Sequence, residues 1–193
     1  MRGINRKTGI VLLFIGLILL SIPLYYEWKN GQEVAAMEKA LTMVSESQGE
    51  PVELDSIEKL TVPKEQLNDV LDLEIPAIDL KQKVLPKTTE ENLNVALTQI
   101  KQDQTLGEGN FTIAGHRGYR NGRYFSNLPD VPIGADIIVS NGGQKFVYEV
   151  KSLKKIKPTN VDILEDDKVN DKITLITCTT DGKKRIAVQG ILK

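Results

Sequence analysis

Three side chains in the second half of the chain have the types that acyl transfer through a thioester requires. The one cysteine, Cys178, ends the stretch KITLITC, the one histidine, His116, ends FTIAGH, and Arg185 begins RIAVQGI. A thiol can attack a carbonyl, an imidazole can move a proton, and a guanidinium is a permanent cation for a developing oxyanion. Taken singly, each has a plain structural explanation, since free cysteines are commonly buried and a lone histidine is commonly part of a core.

The position of Cys178 favours a reactive, accessible cysteine over a buried, structural one. The residues Ile173 to Thr177 form a β-branched apolar run, and Cys178 stands where this run gives way to Thr-Thr-Asp-Gly. A second strand begins at about residue 184, so a hairpin loop over 179–184 would set Cys178 opposite Arg185 on one sheet face. We therefore expect an accessible sulfur flanked by a guanidinium.

The elements that must position these residues are mostly strands. Leu71 to Ile78 alternates apolar and polar residues, and residues 80–85 form its partner. Further strands are predicted at about 110–116, 135–140, 144–152, 172–178 and 184–191, with turns of Gly, Pro, Asn or Asp between them and a hairpin at Asn141-Gly142-Gly143. Thr88 and Glu91 make a capping box, which predicts a helix over 89–100. The pattern indicates a mainly antiparallel β barrel or sandwich with minor helix.

The beginning of the chain predicts a membrane anchor. Residues 8–26 contain no charge and are long enough to cross a bilayer. Basic residues precede this segment and an acidic stretch follows it, so we expect residues 1–7 to be a cytoplasmic tail and the rest to be extracellular. Tyr25, Tyr26 and Trp28 are typical of an interfacial aromatic belt. A cleaved signal peptide is the rival interpretation, but no cleavage site of small residues follows Leu20 promptly.

The segment 27–68 is expected to be an acidic, solvated spacer. It carries nine acidic residues against four lysines. Within it, apolar residues recur at helical spacing from Glu33 to Ser45, which predicts a short amphipathic helix. That helix would continue the membrane span, dock on the domain, or fray. The catalytic domain is then expected over 69–193, because 193 residues allow one domain and an appendage.

Composition excludes several classes of function. A net charge of −1 gives no broad basic patch, so we expect no nucleic-acid partner. A single cysteine excludes an intramolecular disulfide and a thiolate zinc cluster, and a single histidine leaves little for an imidazole metal site. We therefore expect no cofactor and assign no metal ligands, although the many acidic residues leave metal activation undecided.

These motifs together resemble the sortases. The resemblance consists of TLITC, a hairpin and an Arg-bearing strand, preceded about sixty residues earlier by AGHR, and it covers roughly Leu71 to the C-terminus. It implies a closed eight-stranded β-barrel with one or two short helices, preceded by an N-terminal transmembrane helix. It also implies a membrane-anchored cysteine transpeptidase of Gram-positive bacteria that cleaves an LPxTG-like sorting signal and joins the surface protein to a cell-envelope amine.

The resemblance also implies residue roles. Cys178 would be the nucleophile, His116 the proton donor to the leaving amine, and Arg185 the group that positions substrate and stabilises the oxyanion. Thr177 would line the peptide groove, and the loop 157–171 would form part of that groove, with Val161, Ile163 and Leu164 receiving apolar residues of the signal. The partners would be the sorting signal, a cell-wall precursor or peptidoglycan amine, and the lipid bilayer. The run from IPAIDL through AGHRGYRNGRYFSNL looks most like class D.

Other interpretations stay open at this point. A thiol endopeptidase would release its product to water, and a non-catalytic, membrane-tethered β domain would use Cys178 and His116 structurally. A papain-like hydrolase is disfavoured, because no Asn or Asp is obviously placed to orient the imidazole. Arg117, Arg120 and Arg123 would either bind an anionic precursor or form a solvated loop face; the second interpretation is favoured.

Overall fold

A computed structural model describes residues 6–46, 57–58, 60–118, 123–141, 143–166 and 169–193. The sequence predictions that fall wholly or partly outside these residues include the cytoplasmic tail, the middle of the spacer, Arg120, Gly142 of the predicted hairpin and part of the loop 157–171. Within them, a long N-terminal helix leads to a closed β-barrel, so the expected fold class is confirmed.

The barrel has eight strands, and all seven of its longer strands begin within one residue of the predicted positions. They are β1 (Leu71–Ile75), β2 (Leu80–Leu85), β3 (Leu97–Gln99), β4 (Asn110–Ala114), β5 (Asp136–Ser140), β6 (Lys145–Ile156), β7 (Lys172–Cys178) and β8 (Arg185–Leu192). Their order around the closed sheet is β1-β2-β3-β4-β7-β8-β6-β5. Most neighbours are antiparallel, but β2 pairs parallel with β3 and β4 pairs parallel with β7.

The interior of the barrel is a packed apolar core. Alternate residues of β1, β4 and β7 point inward, which produces the buried layers that contain Leu73, Phe111, Ile113 and Leu175. Tyr148 is fully buried among them, and its hydroxyl accepts a hydrogen bond from the Gly107 backbone N–H. Burial raises the pKa of the Tyr148 hydroxyl to about 12, so it stays protonated and neutral in the core.

Strand direction gives the barrel two distinct ends. We define the site end as the end at which β4 and β7 finish and β8 begins. The opposite end, at which β4 and β7 begin and β5 finishes, is the distal end. Because β6 pairs antiparallel with β8 through Ile156 and Arg185, β6 also finishes at the site end. The loop 157–171 must therefore run back along the outside of the barrel to reach the start of β7.

The predicted helix over 89–100 is wrong in both length and cap. The helix α2 is Glu90–Val95, and Thr89 caps it by accepting from the Asn92 N–H at 3.1 Å. Thr88, the expected cap, instead bonds the Gln99 carbonyl and the Thr98 hydroxyl. Leu97 belongs to β3, because pairing with β2 and β4 satisfies the backbone of this strand and outweighs local helix propensity.

The N-terminal helix α1 is one element, Arg6–Glu46. Among the described residues it is the one helix long and apolar enough to cross a membrane. The expectation that 27–68 is solvated throughout is wrong, because several of its residues pack in a second apolar cluster against Leu85, Val95 and Ala96. The buried residues from this segment are Ala36, Met37, Ala40, Ile57, Val62 and Leu67. The predicted short amphipathic helix therefore both continues α1 and docks on the barrel.

Candidate active site

Cys178, His116 and Arg185 lie on neighbouring elements at the site end. In the β7–β8 hairpin Cys178 is paired with Arg185, as expected from the sequence. The parallel β4–β7 ladder ends at the pair Ala114 and Ile176, and the Gly115 N–H continues it by donating to the Ile176 carbonyl at 3.1 Å. One further step of this register carries His116 to the level of Cys178.

Alternation along the strands puts the three side chains on the outer face of the barrel. On β7 the core residues are Ile173 and Leu175, so Thr174, Ile176 and Cys178 point outward. His116 is exposed, whereas Cys178 and Arg185 are half-buried. An accessible thiol at a strand end is open to a substrate, in contrast to a core cysteine.

The β7–β8 turn is braced by its own hydrogen bonds. The Thr179 hydroxyl accepts from the Lys184 N–H at 3.0 Å, and the Asp181 carboxylate accepts from the Lys183 N–H at 3.1 Å. The bonds from Thr179 and Lys183 lower the pKa of Asp181, so it stays ionised. The Arg185 Nη1 donates to the Gly182 and Lys184 carbonyls, each at 3.2 Å. The guanidinium is thus anchored to the turn at one nitrogen.

Close packing behind His116 explains the glycine that precedes it. A Cβ on Gly115 would lie 2.3 Å from a Leu97 methyl and 2.8 Å from the Phe125 ring, and both side chains belong to the core. The Thr177 hydroxyl donates to the Gly115 carbonyl at 2.9 Å, and the Phe125 N–H donates to the His116 carbonyl at 3.1 Å. The backbone around His116 is therefore held from two sides.

Thr177 and the loop residues occupy different environments. Thr177 is only 2% exposed, and its hydroxyl is bonded to Gly115. The structure thus places it behind the backbone of His116, and direct contact with a peptide stays a prediction. Val161, Ile163 and Leu164 lie in one 3₁₀ turn, Val161–Leu164, in the loop that crosses the outer face; Val161 is exposed and the other two are half-buried.

A polar cluster attaches this loop to the barrel, and sequence reasoning missed it. Asn110 is 1% exposed, and its Nδ2 donates to the Ile163 and Glu165 carbonyls, each at 3.0 Å. Its Oδ1 accepts from the Thr174 hydroxyl at 2.7 Å. We call this set, Asn110 with Thr174 and the two loop carbonyls, the loop latch. The one available signal was an Asn and a Thr inside otherwise apolar strands, where a buried polar group needs a partner.

An ionic contact supports the latch. The Asp166 carboxylate accepts from the Asn110 backbone N–H at 2.9 Å and pairs with the Lys101 ammonium at 2.6 Å. The hydrogen bond from Lys101 lowers the pKa of the Asp166 carboxyl, and the hydrogen bond from the Asn110 N–H adds a smaller effect in the same direction. The loop that carries Ile163 and Leu164 is therefore held to the start of β4 by both side-chain and backbone contacts.

Arg123, which follows the histidine, does not lie on a solvated loop face. It is half-buried, its Nη1 lies 3.7 Å from a Glu27 carboxylate oxygen of α1, and its guanidinium carbon lies 5.1 Å from the centre of the Tyr124 ring. The favoured interpretation of this residue was therefore wrong. Arg117 forms an isolated β-bridge with Tyr124.

In the part of the chain that the structure describes, no group of three or more His, Cys, Asp or Glu residues could hold a metal ion. A cavity of about 690 Å³ lies at the distal end, lined in part by Asp69, Gln99 and Phe111. It contains none of the three chemical side chains. The thiol, the imidazole and the guanidinium lie together at the site end, away from this cavity.

The sequence matches the family model for the sortase domain over residues 73–193. Among curated relatives, sortase A of Bacillus anthracis is 29% identical over 197 residues, which is 96% of this chain and 92% of the relative. Sortase A of Staphylococcus aureus is 33% identical over 129 residues, covering 65% of this chain and 63% of the relative.

Solved structures give the same result. A Clostridium perfringens sortase D5 transpeptidase has a TM-score of 0.65 at 25% identity, covering 82% of this chain and 99% of its own. Sortase A of Listeria monocytogenes has a TM-score of 0.61 at 30% identity, covering 64% of this chain and 86% of its own. Class D is thus among several sortase classes that this chain is similar to.

Proposed function

Because the chain belongs to the sortase family and is a cysteine transpeptidase, we propose that Cys178, His116 and Arg185 are its catalytic residues and that it acts on an LPxTG-like sorting signal. The observation that supports these roles is the strand register, which brings all three side chains to one end and one face of the barrel. We further propose that α1 anchors the enzyme in the cell membrane, with residues 8–26 in the bilayer and the barrel outside.

In the first half-reaction the Cys178 thiolate attacks the carbonyl carbon of the scissile peptide bond. The carbonyl electrons move to oxygen, and the Arg185 guanidinium, with five N–H donors, stabilises the oxyanion. When the tetrahedral intermediate collapses, the C–N bond breaks and His116 gives its proton to the leaving amine. The product is a thioester between Cys178 and the surface protein.

In the second half-reaction an amine of a cell-wall precursor attacks the thioester carbonyl. His116 takes the proton that the amine loses, the C–S bond breaks, and the Cys178 thiolate is regenerated. The Arg185 donors stabilise the second oxyanion as they did the first. The surface protein leaves joined to the amine through a new amide bond. The atoms and electrons of the two half-reactions balance without an oxidant or a metal.

The loop 157–171 supplies the wall of the proposed peptide groove. It descends from the site end along the outer face that carries Cys178, and the loop latch holds its Ile163–Glu165 stretch against β4 and β7. Ile163 and Leu164 are half-buried apolar residues suited to the Leu and Pro of a signal. Ile176, paired with Ala114 and Ala187, would form the groove floor beside the sulfur.

Mass spectrometry of the full chain in nanodiscs with an LPxTG-type peptide and a glycine peptide as amine tests this proposal. We expect cleaved, amine-ligated product and a thioester adduct on Cys178 of the active protein. Cys178→Ala should give neither, whereas Thr180→Ala, an exposed change two residues away, should keep both. Cleavage of the peptide without ligation to the added amine would indicate a thiol peptidase. A Cys178 that forms no thioester with the peptide would contradict the catalytic roles.

A further inference from the structure

The contacts of α1 give the barrel a direction relative to the membrane. The membrane-proximal turn of α1 contacts the site end: the Glu27 carboxylate pairs with Arg123, and the Asn30 Nδ2 donates to the Asn94 carbonyl at 2.6 Å. Asn94 lies in the last turn of α2, just before β3 begins beside Gly115. These two contacts lie at the level of Tyr25, Tyr26 and Trp28, the predicted interfacial residues.

Further along α1 the contacts move to the distal end. Midway along the docked part, Val34 and Met37 line one cavity with β2, Val95, Arg123 and Tyr124. A second cavity has Leu41 and Val44 on the α1 side and, on the barrel side, Leu67, Asn68 and Asn141. Asn68 precedes β1 and Asn141 follows β5, so both mark the distal end. From Glu27 to Val44 the helix rises about 25 Å.

We infer that the site end of the barrel faces the bilayer and the distal end faces away from it. The inference rests on the proposed membrane anchoring of α1. Because the docked part of α1 runs from the site end to the distal end as it leaves the membrane, the catalytic thiol lies near the lipid surface. The enzyme would then take a sorting signal and an amine that are both presented at the headgroups, without a spacer between the membrane and the barrel.

The charge on one edge of the site end fits this orientation. Five exposed lysines cluster where β6 finishes and around the β7–β8 turn; we call them the basic edge, and they are Lys154, Lys155, Lys157, Lys183 and Lys184. Among the described residues of the turn, Asp181 is the acidic group that faces them, and it is already bonded to Thr179 and Lys183. A basic surface of this kind is attracted to anionic headgroups.

The same contacts link the anchor to the backbone of His116. The Tyr124 hydroxyl bonds the Asn94 carbonyl, which also accepts from Asn30 of α1. Tyr124 is bridged to Arg117, and the next residue, Phe125, donates to the His116 carbonyl. The membrane-proximal turn of α1 is therefore joined through Asn94 to the residues that contact the His116 backbone, in addition to setting the orientation of the barrel.

The height of each barrel end above the bilayer can be measured directly. Since Cys178 is the one cysteine, two single-cysteine proteins are made in Cys178→Ala: Thr180→Cys at the site end and Gln144→Cys at the distal end, both exposed positions. Each full chain is labelled with a fluorophore and placed in liposomes whose headgroups carry a quencher. We expect stronger quenching at 180, with the two heights differing by about 20 Å, slightly less than the rise of α1.

Matched variants of α1 test whether docking sets this height. Ala40→Arg puts a guanidinium into the buried contact between α1 and the barrel, whereas Ala35→Arg adds the same group at an exposed position. We expect Ala40→Arg to remove the difference in quenching and Ala35→Arg to keep it. Replacing anionic by zwitterionic lipids should reduce the quenching at 180 if the basic edge contributes.

Equal quenching at 180 and 144, or stronger quenching at 144, would overturn the orientation. A protein that does not float with the liposomes would overturn the membrane anchoring as well. Neither result bears on the chemistry, because transpeptidation is assayed separately by mass spectrometry on the protein that retains Cys178. Failure of the orientation and failure of the proposed catalytic roles are therefore distinguishable.

Discussion

At the scale of single residues, the site depends on where two strands end. Cys178 and Arg185 are partners because the turn between them spans 179–184, and His116 reaches the same level because β4 runs parallel to β7. A parallel pair brings both carboxyl ends to one edge of the sheet. Residues distant in sequence therefore meet, with Cys178 and Arg185 at strand ends and His116 two residues beyond the end of β4.

Substitution of Arg185 tests the oxyanion role. Arg185→Gln removes the charge and most of the donors, and we expect a fall in kcat/KM of about 100- to 1,000-fold, the usual effect of losing an oxyanion donor. Arg185→Lys keeps a positive charge but loses the planar set of guanidinium donors, so its kcat/KM should lie between those of the wild type and Arg185→Gln. The measurement is steady-state kinetics with the sorting peptide and amine.

Lys184→Gln is the control for Arg185, because Lys184 is an adjacent, exposed cation of the basic edge. It should leave kcat/KM with a soluble peptide close to wild type. Thermal unfolding separates catalytic from structural effects, since losing the two Nη1 bonds to the turn costs at most about 1 kcal/mol each. Full activity in Arg185→Gln would remove Arg185 from the mechanism.

At the scale of elements, a buried hydrogen-bonded side chain decides how the loop 157–171 lies. Without Asn110, whose side chain is buried, the Ile163 and Glu165 carbonyls would lose their donor. Asp166 and Lys101 add an exposed ion pair, which contributes less because solvent screens it. The loop latch therefore accounts for most of the attachment of this loop.

Asn110→Asp tests the latch at constant side-chain size. It keeps the acceptor for Thr174 but puts a carboxylate oxygen against two carbonyls in place of the donor, so we expect a loss of about 2 kcal/mol of stability. The loop should become sensitive to limited proteolysis. If the loop is the groove wall, KM for the sorting peptide should rise about tenfold while kcat changes little.

Asn68→Asp makes the same chemical change at an exposed position of the distal end, so it should alter neither proteolysis nor KM. A drop in kcat with unchanged KM in Asn110→Asp would mean that the latch acts on Cys178 and not on peptide binding. An unchanged loop in both proteins would contradict the structural role of Asn110.

At the scale of the whole molecule, α1 and the barrel form one unit. The helix passes from the apolar span into a contact that buries Met37 and Ala40 against Val95 and Ala96. Burial of such a face is what stabilises a helix in water, so the helix continues beyond the span. With the proposed anchoring, a docked helix would set a fixed distance between the membrane and the site end, which a flexible spacer would not.

Comparison of soluble and lipid-tethered substrates tests whether this distance matters. With an amine on a short lipid tether, we expect Ala40→Arg to lose about tenfold in rate, because the effective concentration of a tethered group depends on geometry. With a soluble amine its rate should match wild type, which also shows that the barrel is folded. Ala35→Arg should behave as wild type in both assays.

Equal rates for Ala40→Arg and the wild type on the tethered amine would mean that the barrel reaches its substrate regardless of docking. The orientation measured by quenching would then have no consequence for turnover. A loss on both amines would instead indicate that α1 supports the active site itself, through the contacts that join Asn30, Asn94 and Tyr124.

Seven of the eight barrel strands, the apolar span and the three side chains suited to acyl transfer could be predicted from the sequence. These are local properties: alternation along a strand, a run of apolar residues of membrane length, and rare residue types at strand ends. Cys178 and Arg185 were paired correctly because a hairpin is also local. The sortase resemblance then chose the closed barrel, which periodicity alone left beside a sandwich.

Three features depend on contacts between residues that are distant in sequence: the length of α2, the attachment of the loop 157–171, and the docking of α1. Leu97 has the spacing of a helical residue, but it lies in β3, which pairs with β2 and β4. Sheet pairing here outweighs the local helix propensity. Asn110 and Ala40 find their partners more than 40 residues away, and no local pattern encodes such a contact. The proposed direction of the site end relative to the membrane rests on those distant contacts, because it depends on which residues of the barrel α1 buries.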